Sequence, residues 1–308
     1  MTTTPIILDC DPGHDDAVAI LLALASPEVE VVGVTTVSGN QTLEKTTANA
    51  IRVLDLAERG DIAVHAGADR PLVRPRFVAD YVHGETGMDG PIVPPPSRQP
   101  GAAHAVEFLA AQIRERDGRL TLVPTGPLTN VALLIALAPD ARPERIVLMG
   151  GAVGEGNRTP AAEFNIWADP EAARRVFESD IDLTMIGLDV THQALIGDDD
   201  TAELSRGGRA GRFVAELMDF YSRFHRKRYP ELHGSPMHDP VAVAHVAIPE
   251  LVDVRDAHLS VDCGWDEGRG RTNVDWRGRG GEPNGKVAVA IDGARFARLL
   301  IDRVTSLG

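Results

Sequence analysis

The sequence predicts an α/β fold: a single domain over residues 1–308, with a mostly parallel central sheet and helices on both faces. Three observations predict it. Short aliphatic or β-branched runs alternate with helix-length stretches, the pattern of parallel strands joined by crossover helices. No internal repeat, low-complexity linker or composition break divides the chain. Its 308 residues, 43% of them hydrophobic, are enough to bury a sizeable core.

Taken in order, residues 6–8 are a strand of three aliphatics, Pro12-Gly13 a turn, and residues 14–25 an Ala/Leu-rich helix. Residues 29–37 (VEVVGVTTV) form a second strand that ends at Ser38-Gly39-Asn40 before a helix over about 42–59, and 62–66 is a further short strand. Residues 71–99 hold six prolines and the run HGETGMDG; an irregular segment of this length inside a compact domain points to function. The alternation resumes with a helix over 102–115, a strand over 120–124, the turn TGPLTN, an apolar helix over 131–138 and a strand over 145–149. The loop GNRTPAAEFNIWADP then leads to a helix over 170–179, with Pro170 at an accepted starting position, and 182–188 is a strand. The chain is mostly helical from there to Tyr229, and Met237-His238-Asp239-Pro240 opens a second loop-to-helix junction like the first. Strands over 258–263 and 286–291, a polar Gly-rich hairpin or loop over 264–285 between them, and a helix over 294–304 complete the chain.

The formal net charge of -14 argues against nucleic acid or an anionic membrane as the main partner and favours a small molecule. Cys10 and Cys263 have no CxxC spacing, so neither a disulfide framework nor a thiolate zinc site is expected. The start MTTTPIILDC lacks a basic, then apolar leader, and no apolar run is long enough to span a bilayer; a cytoplasmic location is expected.

The chemistry is concentrated in the first junction. Strand periodicity places Asp9 and Asp11 on one side of the strand end, while Asp15 and Asp16 fall in the first helical turn, where the helix dipole favours negative charge. These four carboxylates repel one another unless a cation neutralises them, and no Lys or Arg occurs before Lys45. That favours a hard metal ion with oxygen ligands. In open parallel sheets ligands bind beyond the carboxyl ends of the strands, and Asp11, Asn40, Thr125, Asn157, Glu163 and Asn165 all follow strands. They can share one rim, with Asp, Asn and Glu side chains suited to a polyhydroxylated ligand such as a sugar. A metal held by Asp11, Asp16 and a further carboxylate could acidify a water, and His83 or His238 could bind a leaving group or give it a proton.

On these residues the chain resembles a nucleoside hydrolase of the inosine-uridine-preferring family. The family fingerprint DxDPGxDDA stands at Asp9 to Ala17, supported in order by VSGN, HGETGMDG, PTGPLTN, MGGAV, EFNIWADP and MHDP. The resemblance implies calcium held by the carboxylates of Asp11, Asp16 and Asp239 and the carbonyl of Thr125, with Asp11 also the general base. It implies ribose 2′- and 3′-hydroxyl contacts from Asp15 and Asn40, and contacts to the other side of the ribose, including the 5′-hydroxyl, from Asn157, Glu163 and Asn165. His83 corresponds to a histidine of the base pocket and His238 to one that protonates the departing base. The reaction implied is attack on C1′ by a water held at the metal, through an oxocarbenium-like transition state, releasing ribose and a purine or pyrimidine base. Relatives are commonly dimers or tetramers, so a homodimer or homotetramer is expected.

The aromatic residues Tyr221, Phe224, His225 and Tyr229 precede His238 by 17, 14, 13 and 9 residues, and their near-helical spacing is read as core packing rather than a lid. Two alternatives remain open: a non-catalytic calcium-dependent nucleoside or sugar binder, and an Asp-nucleophile phosphohydrolase. The second lacks the hydroxyl residue it needs after the second Asp, where Pro12 and Gly13 stand.

Overall fold

The computed structural model describes residues 3–307. Strand β1 (Thr4–Cys10) runs into helix α1 (His14–Leu24), and β2 (Val29–Thr36) into α2 (Leu43–Leu56). After β3 (Val64–Ala66) a long irregular segment holds one helical turn, α3 (Asp80–His83), before α4 (Ala105–Glu115). Then follow β4 (Thr121–Pro124), α5 (Thr129–Leu137), β5 (Arg145–Met149), α6 (Phe164–Ala168), α7 (Pro170–Phe177), β6 (Asp182–Ile186) and α8 (Leu188–Thr191). A small ribbon of β7 (Leu195–Ile196) and β8 (Ser235–Pro236) encloses α9 (Asp198–Ser205) and α10 (Arg209–Arg228). The chain continues through α11 (His238–Ala247), β9 (Val252–Val261), β10 (Thr272–Asp275), β11 (Gly285–Ile291) and α12 (Gly293–Thr305).

The nine-stranded sheet has the order β10-β9-β11-β6-β5-β4-β1-β2-β3. The strands from β11 to β3 are parallel neighbours, whereas β9 is antiparallel to both β11 and β10. From β1 the chain steps outward through β2 and β3; it then restarts on the other side at β4 and steps away through β5 and β6. The order therefore reverses between β1 and β4, and the crevice at their carboxyl ends is where such a sheet takes its ligand.

Alternation along β1 explains why helices cover both faces. Ile6, Leu8 and Cys10 join one core with Val18 and Leu22 of α1, Leu54 of α2 and Val241 of α11, while Ile7 joins the other with Leu109 of α4, Val131 of α5 and Val176 of α7. One expectation from sequence changes. The strand expected at 258–263 begins at Val252, because Asp253, Arg255 and Asp256 lie on an exposed stretch near the sheet edge where charge is tolerated. The polar 264–285 stretch takes the hairpin form of its reading, with β10 pairing back on β9 as the edge strand. Among the described residues no helix is long and apolar enough to cross a membrane.

Candidate active site

Two helix N-termini meet at the switch point. Helix α1 packs against α11, so Asp15 and Asp16 in the first turn of one face Asp239 in the first turn of the other. Ligand oxygens of these three buried carboxylates lie within 4.8 Å of one another. Asp11, fully buried, joins the group through its backbone N-H, which donates to Asp16 Oδ1 at 3.2 Å. Asp16 also accepts from the Gly13 N-H at 3.0 Å, the Asn40 side chain at 3.0 Å and the Thr125 hydroxyl at 2.9 Å. Asp11 Oδ2 accepts the Asn40 backbone N-H at 2.6 Å. Glycine is required on both flanks of this carboxylate: a Cβ at Gly39 would collide with Asp11 Oδ2, and one at Gly126 would lie 2.6 Å from Oδ1. The VSGN and PTGPLTN runs are thus shaped around Asp11.

Among the described residues no Lys or Arg offsets these charges. Burial pushes the Asp11 and Asp239 carboxyls well above the usual range, with repulsion from neighbouring carboxylates adding to it. Burial and then Asp16 raise Asp15 to about 8, and burial raises Asp16 despite its hydrogen bonds. Asp11 Oδ1 and Asp15 Oδ1 are buried with no hydrogen-bond partner among the described residues. Orphaned carboxylate oxygens within an all-oxygen donor set fit a hard divalent cation. The Thr125 carbonyl is at the same junction and accepts the Asn165 side-chain N-H at 2.7 Å.

Asp9 takes a separate role. It accepts from the Thr35 hydroxyl at 2.6 Å and the Asn130 amide at 2.8 Å, and it is absent from the cavity lining. The strand ends at Cys10, so its alternation no longer governs Asp11. The pairing of Asp9 with Asp11 on one side, expected from periodicity, is replaced by a network tying β1 to β2 and α5.

Above the carboxylates opens a cavity of about 240 Å³ lined by Asp15, Asn40, His83, Thr125, Asn157, Glu163, Asn165, His238 and Asp239. Of the rim residues singled out from sequence, all but Asp11 line it; Asp11 and Asp16, both fully buried, lie outside the lining and are tied to it through hydrogen bonds from Asn40 and Thr125. Glu163 caps α6, accepting the N-H groups of Asn165 at 2.8 Å, Gly151 at 3.0 Å and Ile166 at 3.1 Å. Asn165 donates to the Thr125 and Met149 carbonyls, and Asn157 Oδ1 accepts the Phe164 N-H at 2.8 Å. Each asparagine is held by one end of its amide, which leaves the other end for a ligand.

The irregular 71–99 segment contributes Ala79, Tyr81, Val82 and His83. Helix α10 and its end contribute Tyr221, Phe224, His225, Arg228 and Tyr229. This amends the core-packing reading of the aromatic run: Tyr221 does belong to the hydrophobic core, but it and the buried His225 also line the cavity. Their spacing of four residues is the helical repeat that puts them on one face, and a cavity face and a core face share that repeat. Sequence reasoning also passed over His14, whose Nδ1 lies 3.2 Å from His83 Nδ1 and whose Nε2 lies 2.8 Å from the Asp89 carbonyl. Burial pushes His14 and His225 down to about 4, and pushes His83 and His238 well below the usual histidine range.

The profile of the family described as inosine-uridine preferring nucleoside hydrolase matches residues 6–298. The pyrimidine-specific ribonucleoside hydrolase RihA of Shewanella sp. (strain ANA-3) is 52% identical over 302 residues, covering 97% of this chain and 95% of the relative. RihA of Enterobacter sp. (strain 638) is 48% identical over 304 residues, with 97% of each chain covered. Among solved structures, the purine-preferring ribonucleoside hydrolase from Gardnerella vaginalis superposes with a TM-score of 0.93 at 35% identity, covering 98% of both chains.

Proposed function

The chain belongs to the inosine-uridine preferring nucleoside hydrolase family and is an N-glycosyl hydrolase; from this premise we propose that it cleaves pyrimidine ribonucleosides to ribose and free base, with calcium as its metal. The observation that carries the proposal is the set of four buried carboxylates, none paired with a Lys or Arg among the described residues, at and just behind the wall of a cavity rimmed by Asn and Glu side chains. Asp11, Asp16 and Asp239 would hold the ion with the Thr125 carbonyl, and when bound it supplies positive charge that orients and acidifies water. Asp11 Oδ1, the oxygen without a partner, takes the proton of the attacking water, while the Asn40 N-H on Oδ2 keeps the carboxylate aimed. Asp15 and Asn40 bind the 2′- and 3′-hydroxyls. Asn157, Glu163 and Asn165 bind the far side of the ribose. As water adds at C1′, the electron pair of the C1′–N bond leaves with the base, which His83 and His238 face. His238 is neutral at rest, so it meets the departing negative charge as a hydrogen-bond donor.

The pyrimidine preference is supported by relatives of about half identity that are named pyrimidine-specific, against 35% for the purine-preferring enzyme. The test is steady-state hydrolysis of uridine, cytidine, inosine, adenosine and guanosine. A pyrimidine is expected to exceed inosine in kcat/KM by about 100-fold, and 2′-deoxyuridine is expected to lose a similar factor because the 2′-hydroxyl's buried partners go unpaired. Inosine as the best substrate would overturn the base assignment, and equal rates for uridine and 2′-deoxyuridine would overturn the ribose contacts. Gly39→Ala is expected to displace Asp11 and lower kcat/KM about 100-fold with an unchanged circular dichroism spectrum; wild-type kcat/KM in that variant would contradict the placing of Asp11. Assembly as a cytoplasmic homodimer or homotetramer belongs to the same proposal and is read by light scattering.

A further inference from the structure

Helix α8, only four residues long, ends under the cavity at Thr191. Thr191 is fully buried, and its hydroxyl oxygen lies 2.7 Å from His238 Nδ1. Among the described residues that hydroxyl has no other hydrogen-bond partner, and His238 Nε2 has none within the protein. The direction of the bond follows from satisfiability. A neutral imidazole has one N-H and one lone pair. If Nδ1 carried the proton and donated it, the threonine hydroxyl hydrogen would be left in a dry site without an acceptor. If the hydroxyl donates, its proton and the Nδ1 lone pair are both satisfied, and the ring proton stands on Nε2, the polar atom that His238 can offer to the cavity it lines.

We propose that Thr191 is a positioning residue for the hydrolysis: its hydroxyl holds His238 in the Nε2-H tautomer and in a fixed ring orientation, so that an N-H donor meets a carbonyl oxygen of the departing base. The inference rests on the functional reading above. No proton changes hands in this arrangement. The electron pair of the C1′–N bond spreads onto the base carbonyls as the bond breaks, and the Nε2-H bond strengthens as that charge develops. The unpartnered His192 Nε2 lies near by, with ring centroids 5.6 Å apart, and does not touch His238 Nδ1. Thr191 is the group that selects the tautomer.

The experiment compares two substrates. Uridine needs help with its leaving group, whereas 4-nitrophenyl β-D-ribofuranoside, with the same sugar, carries a leaving group that departs without it. Thr191→Val, nearly isosteric but without the hydroxyl, is expected to lower kcat/KM for uridine about tenfold more than for the nitrophenyl riboside, mainly through kcat. Thr191→Ser is expected to restore the uridine rate. Parallel losses on the two substrates would show a merely structural role and overturn the proposal, as would undiminished uridine turnover in Thr191→Val. The imidazole ¹⁵N signals of His238 in the wild-type protein supply a test that needs no stable variant: a protonated Nε2 and an unprotonated Nδ1 are expected, and the reverse overturns the assignment. If the wild-type protein hydrolyses neither substrate, the functional reading fails, while the ¹⁵N signals still decide the tautomer.

Discussion

Asp11→Ala is expected to lower kcat/KM for uridine by about 10⁴-fold, a general-base contribution and part of the metal's contribution being lost together. The residue stands where three constraints meet: it is the first group beyond the central strand, it is pinned through Oδ2 by the Asn40 N-H, and Gly39 and Gly126 leave just enough room for it. Its other oxygen has no protein partner. Removing the side chain also removes one carboxylate from the proposed calcium site, so this variant alone mixes two effects. Asp11→Asn separates them, because it retains the shape and gives up the proton acceptor. Calorimetric calcium titration of both variants, beside their kinetics, shows how much of the loss travels with metal affinity. Activity within tenfold of wild type in Asp11→Ala would remove it from the mechanism.

Chelation of calcium is expected to abolish uridine turnover and to lower the melting temperature, with calcium restoring both. Without a cation, four carboxylates share a buried site in which, among the described residues, no Lys or Arg offsets them. A ligand present at a hundred times its Kd stabilises by about 2.7 kcal/mol, which corresponds to roughly 4 °C in a chain of this size. The pH dependence has a definite sign. Asp15 is raised from 3.8 to about 8 by burial and by Asp16, so the metal-free folded protein keeps a proton that the unfolded chain has released. Its stability should therefore fall as pH rises from about 4 to about 8, and the gain in melting temperature from calcium should grow over the same range. A melting temperature indifferent to calcium across that range would place the metal elsewhere.

Most residues legible in the sequence share one property: each sits at a junction where a strand or loop gives way to a turn or helix. Asp11, Asn40 and Thr125 are recognisable because such junctions converge at the carboxyl edge of a parallel sheet whatever the order of its strands, whereas Asp239 is recognisable as a loop-to-helix junction outside that sheet. The order itself, and with it the switch point between β1 and β4, depends on long-range pairing that local patterns do not encode. The cavity wall on α10 was hidden for a different reason. Tyr221 and His225 repeat as a core face does, and only the tertiary position of the helix makes that face a lining. Thr191, one hydroxyl at the end of a four-residue helix, gives no signal in its neighbours and matters only through His238, 47 residues further along the chain. Asp9 misled because strand periodicity was carried one residue past the end of its strand. In β9 and β10 the polar composition belongs to a sheet edge, where exposed strands and loops look alike.

The central claim, that this cavity hydrolyses the N-glycosidic bond of a pyrimidine ribonucleoside, is tested most directly by product analysis of uridine incubated with the calcium-loaded protein. Uracil and ribose are expected in equal amounts, formed over many turnovers and halted by chelator. Tight, calcium-dependent uridine binding with no uracil released would contradict it and leave a nucleoside-binding protein in its place.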